Sequence, residues 1–81
     1  MTFELFHRLA EPDSAAARRL VLDLGLREAV DFRNVFYPSH ASDLAARGGG
    51  ETPALWDGAR LHVGRDAVLT ALEALARGGA R

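Results

Sequence analysis

Glu11, Asp13 and Ser14 cluster around Pro12, and together they could act as a chemical unit. Proline suits a first helical turn because an N–H there has no intrahelical partner, and Asp and Ser favour the same place. Two carboxylates at the positive end of a helix offset its dipole, worth about 0.3–1 kcal/mol each. The same pair could instead bind a metal ion or move a proton. A metal would want further ligands, and His7 is the nearest donor. We read Glu11 and Asp13 as dipole-compensating caps. His7, His40 and His62 are scattered along the chain, and His7 and His62 could meet only if their strand faces agree, so no metal site is expected. The chain has no cysteine. This removes disulfides, zinc–thiolate sites and thiol nucleophiles together.

These residues are positioned by short, alternating elements. Residues 2–7 place Phe3, Leu5 and His7 on one face and Glu4 and Phe6 on the other, the pattern of a largely buried strand. A helix is expected over 12–24, with Ala17, Leu20, Val21 and Leu24 at helical spacing and Gly25 as a left-handed end. Arg18, Arg19 and Asp23 face elsewhere on it. Val30, Phe32 and Val35 mark a second strand over 29–35, which Pro38 ends. Ser39 or Ser42 would cap a short helix reaching Ala46, and Gly48-Gly49-Gly50 breaks the chain. Ala54, Leu55 and Trp56 form a third strand, Asp57-Gly58 signals a hairpin, and Arg60–Val63 returns. Asp66 is expected to cap a last helix whose buried stripe is Val68, Leu69, Leu72, Leu75 and Ala76, with Gly78-Gly79 ending it. Trp56 and Phe32 are assigned to the core, whereas Phe36-Tyr37 beside Pro38 is expected to be partly exposed and open to a partner.

The 81 residues suffice for one domain spanning 1–81. Apolar residues make up 48% and charged residues 26%, an ordinary globular balance. The net charge of −1 argues against nucleic-acid or anionic-membrane partners, which require a clustered positive field. Charges interrupt the apolar stretches, so no transmembrane span is expected. MTFELFHRL lacks the basic-then-apolar pattern of a secretory leader. A cytoplasmic location is the default expectation.

The order β-α-β-α-β-β-α, with a helix-opening motif after strand 1 and Thr52-Pro53 before strand 3, resembles the glutaredoxin family and the N-terminal domain of glutathione transferases. The resemblance covers residues 3–75. Glu11-Pro12-Asp13-Ser14 stands in the frame of the Cys-Pro-x-Cys motif that opens helix 1 in glutaredoxins, and Gly25-Leu26 falls where the family's helix-ending glycine is expected. Pro53-Ala54-Leu55-Trp56-Asp57-Gly58 looks like the transferase form of the third strand. His62-Val63-Gly64 followed by Arg65-Asp66 resembles the segment before the family's last helix.

The resemblance implies an α/β, thioredoxin-like fold of glutaredoxin type, with a four-stranded mixed sheet and helices on both faces. It implies a cis bond at Pro53 and a glutathione-binding edge. Arg8 stands where many glutaredoxins carry a lysine that meets the glycine carboxylate of glutathione, and arginine could make that contact bidentately. Thr52 would offer backbone groups to the cysteinyl part. Asp66, or Arg65 one residue earlier, would meet the γ-glutamyl ammonium group. The family's nucleophile is replaced by Glu11 and its resolving cysteine by Ser14. Disulfide exchange needs an attacking thiolate, so dithiol oxidoreductase activity is excluded. Carboxylates at the helix start also disfavour a second anion there.

The expected function is therefore a redox-inactive glutaredoxin-like module that binds a glutathione-like peptide, a thiol peptide or a protein partner. No cofactor is implied other than glutathione itself as ligand. One alternative is a glutathione-dependent transferase using Ser14. That serine lies one helical turn later than the transferase serine, and such enzymes add a helical domain not found in these residues. The other alternative is a protein-interaction subunit without a small ligand.

Overall fold

The computed structural model describes residues 2–79. The elements run β1 (Phe3–His7), α1 (Pro12–Asp23), β2 (Val30–Asn34), α2 (Pro38–Ala46), β3 (Ala54–Trp56), β4 (Leu61–Val63) and α3 (Arg65–Ala74), followed by a wide π-type turn over Leu75–Gly79. The four strands form one mixed sheet in the order β2-β1-β3-β4. β1 pairs parallel to β2, with Leu5 opposite Phe32 and His7 opposite Asn34. β1 pairs antiparallel to β3, and β3 antiparallel to β4, so that Leu5, Leu55 and His62 lie in one row across the sheet. This is the expected βαβαββα fold.

Strand alternation sends side chains to two apolar layers. Phe3, Leu5, Val30 and Leu55 pack beneath α1 and α3, against Ala17, Val21, Leu26, Val68 and Leu72. Phe6 and Ala54 point the other way, to Val35 in the turn after β2 and to Leu44 of α2, with Trp56 and Leu61 alongside. Leu5, Phe6, Ala17, Val21, Leu55, Val68 and Leu72 are fully buried. Helix α1 buries Ser14, Ala17 and Val21, at the spacing of one helical face.

The end of α1 is set by Gly25, whose φ of +70° only glycine adopts at little cost. Its N–H bonds to the carbonyl of Leu22, and the N–H of Leu26 bonds to that of Val21. This pair closes a Schellman motif and folds Leu26 back into the core beside Val21. In the hairpin, Asp57 Oδ1 accepts the N–H groups of Ala59 and Arg60, each at 2.8 Å, and Oδ2 lies 2.8 Å from His62 Nε2. Burial alone would raise the Asp57 pKa. The His62 contact and the two backbone bonds outweigh it and hold the carboxyl below its ordinary value.

Several sequence expectations are corrected. Pro38 opens α2 rather than ending β2: it occupies the first turn and Tyr37 is the N-cap. This is the same use of proline as in α1. Asp66 lies inside the first turn of α3, whose N-cap is Gly64 at φ +96°. Asp66 therefore acts on the dipole and not as the cap. Phe32 is not core; it lies at 36% exposure in the middle of β2, which is an edge strand of the sheet. Ala76 is exposed, since the helical register changes at the wide turn after Ala74. β1 and β4 start one residue later than expected and β2 is one residue shorter at each end, while β3 has the expected span. Among the described residues, no helix is long and apolar enough to cross a membrane.

Leu55 lies on a central strand and is fully buried, whereas Leu22 is largely exposed on α1. Leu55→Ala is expected to cost about 2–5 kcal/mol of stability. Leu22→Ala should change it by less than about 0.5 kcal/mol. Urea unfolding followed by circular dichroism checks both.

Candidate functional site

The site forms where β1 ends and α1 begins, beside the loop that precedes β3. Glu11 is the N-cap residue of α1, yet its side chain makes no capping bond to the helix backbone. Its Oε1 instead accepts a hydrogen bond from the hydroxyl of Ser14. The same oxygen accepts the Thr52 hydroxyl at 2.8 Å. Ser14 is fully buried, and its Oγ also accepts the N–H of Arg8 at 3.1 Å. Both hydrogen-bonding capacities of that hydroxyl are thus engaged. Glu11 is therefore not a side-chain cap; it is an acceptor shared between the helix and the loop. Thr52–Pro53 is cis, and Pro53 is buried at the start of β3.

Arg18 lies one turn beyond Ser14, and Glu11, Ser14 and Arg18 share one face of α1 at i, i+3, i+7 spacing. Its guanidinium fastens the loop after β1. Nη1 is 3.0 Å from both His7 Nδ1 and the carbonyl of Arg8, and Nη2 is 3.4 Å from the carbonyl of Leu9. Arginine can only donate, so His7 Nδ1 accepts and the ring proton sits on Nε2. His7 is buried and meets the edge of Phe32 at a centroid distance of 5.6 Å. Burial first, then the positive charge of Arg18 and the neighbouring His40, hold its pKa below the ordinary histidine value.

The structure brings Arg8, Glu11, Ser14, Thr52 and Pro53 together at one end of the sheet. Arg65 and Asp66 open α3 next to the first turn of α1. Arg65 Nε lies 3.9 Å from Asp13 and its Nη1 3.2 Å from Asp66, whose side chain is 94% exposed. His7 and His62 share a sheet face but belong to different rows. Among the described residues, no group of three or more His, Asp or Glu is placed to hold a metal ion.

Two features are absent from the sequence reading. One is the Arg18–His7 contact, which the i+7 spacing from Glu11 could have revealed. The other is a cleft of about 500 Å³ between the β1–α1 loop and the β2–α2 turn, lined by Arg8, Leu9, Ala10, Asn34, Phe36 and Tyr37. Among the described residues the Arg8 guanidinium makes no ion pair.

The βαβαββα order, the 2-1-3-4 sheet with β1 and β2 parallel, and the proline before β3 define a cysteine-free domain of thioredoxin-like topology. Comparison with protein-family models, with curated proteins and with solved structures found no match to this chain.

The lowered His7 pKa sets a sign for acid sensitivity. The unfolded chain takes up a proton at about pH 6.5, before the folded one does. Stability is therefore fully present above that value and declines as pH falls below it, until the folded histidine also protonates. The slope from this one group is at most about 1.4 kcal/mol per pH unit. Denaturation at pH 7.5 and 5.0 should show the loss, and His7→Gln should diminish it.

Proposed function

We propose that this domain is a redox-inactive glutaredoxin-like module that binds a glutathione-like peptide, with the peptide's carboxylate on Arg8 and its backbone along Thr52. The observation that carries this reading is the convergence of an unpaired guanidinium, an open cleft and an unpaired stretch of backbone at one end of the sheet. Among the described residues the backbone N–H and C=O of Thr52 have no partners, while the following carbonyl, of Pro53, is used by Gly64. Free backbone of this kind pairs with an extended ligand without needing a particular side chain. The exposed Asp66 carboxylate at the start of α3 supplies an acceptor for the ligand's ammonium group. The buried, doubly engaged Ser14 hydroxyl favours binding over the transferase alternative, because a serine acting on a ligand must reach it.

Two outcomes are expected. Purified protein should show no glutathione–disulfide exchange above a blank, since no sulfur nucleophile is present. Glutathione added to ¹⁵N-labelled protein should shift the amides of Arg8, Thr52 and Asp66, and Arg8→Ala should weaken binding by about 1–3 kcal/mol. Absence of localised shifts, or an unchanged affinity in Arg8→Ala, overturns the reading.

A further inference from the structure

We infer that the carboxyl-terminal residue of the ligand carries a large apolar side chain, which enters the cleft between the β1–α1 loop and the β2–α2 turn; this rests on the binding reading above. Glutathione ends in glycine and would leave this cleft unfilled. Its volume of about 500 Å³ lies within the range of small-molecule pockets. Its walls include side chains that folding leaves bare: Leu9 at 68%, Phe36 at 81% and Tyr37 at 55% exposure.

These walls are held in place. Asn34 Oδ1 accepts the N–H of Phe36 at 2.9 Å and fixes the turn. Phe36 meets Tyr37 edge to face at 5.7 Å, and Tyr37 meets His40 likewise at 5.9 Å. On the opposite wall, Arg18 grips the carbonyls of Arg8 and Leu9. A rigid wall loses little entropy when a ligand settles on it.

The charge at the cleft selects the ligand's other end. Arg8 is the one charged residue among those lining it. A cation beside leucine and two aromatic rings complements a carboxylate attached to an apolar group, which is the chemistry of a chain ending in Phe, Leu or a similar residue.

The test compares glutathione with the same tripeptide carrying phenylalanine in place of glycine, by calorimetric titration of the intact protein. The phenylalanine peptide should bind about tenfold tighter, equivalent to about 1.4 kcal/mol. Phe36→Ser, a change at an exposed position, should bring that ratio toward one. N-acetylphenylalanine, which lacks the rest of the peptide, should shift the amides around Arg8 and Tyr37, whereas N-acetylglycine should not. Equal affinities for the two tripeptides overturn the inference and leave the peptide-binding reading standing. Binding of N-acetylphenylalanine without either tripeptide supports the cleft and removes the peptide reading. No binding of any of them overturns both.

Discussion

One carboxylate oxygen joins two segments of chain that the sequence keeps far apart. Glu11 Oε1 receives hydroxyls from Ser14, on its own helix, and from Thr52, 41 residues later. A carboxylate can only accept, so both hydroxyls must donate to it. Ser14 then has a lone pair left for the Arg8 N–H, so hydrogen bonds from the β1–α1 loop, by way of Ser14, and from the loop before β3 converge on one carboxylate oxygen. Within the run from Arg8 through Ser14 to Glu11, each bond polarises the next and gains strength in a partly dry setting. The geometry of Arg8 relative to Thr52, and with it any ligand that spans the two, depends on that bond pair.

The two faces of the sheet are secured by different physics. Beneath α1 and α3 the core is continuous and apolar. On the other face α2 buries only Leu44 and is otherwise held by charge. Arg33 lies 2.7 Å from Asp43 and 2.9 Å from Asp31, and Arg47 lies 3.0 Å from Glu4. Pairs that are partly open to water are worth about 0–1 kcal/mol each. α2 therefore rests on one buried leucine and on charge pairs gathered toward its carboxyl-terminal end, whereas its first turn is fixed by the Tyr37–His40 contact.

Much of this was legible in the sequence because local chemistry and tertiary packing agree. Gly25 ends α1 where a left-handed residue was expected, and alternation in β1 assigned every side chain of that strand to the correct face. Pro38 can end a strand or open a helix, because proline disfavours the interior of both, and only the course of the chain shows which side it serves. Asp66 looked like a cap because Gly64, which caps by backbone conformation alone, carries no side-chain signal. Phe32 has the apolar character of a core residue, but its place on an edge strand is a tertiary fact. At the site, the proximity of Glu11 to Thr52 is a tertiary fact without local trace, and the cleft exists only because two loops of separate strands end side by side.

The sole tryptophan gives the charged face an optical handle. Trp56 is half-buried, and the Arg47 guanidinium sits 4.4 Å above its ring, a cation–π stack that also tethers the end of α2 to Glu4. An indole so covered responds in emission to departure of its lid. Intrinsic fluorescence of this protein thus reports on the seating of α2 against the sheet and not on the opposite, apolar layer. Any event that loosens the salt-bridged helix would register in the spectrum.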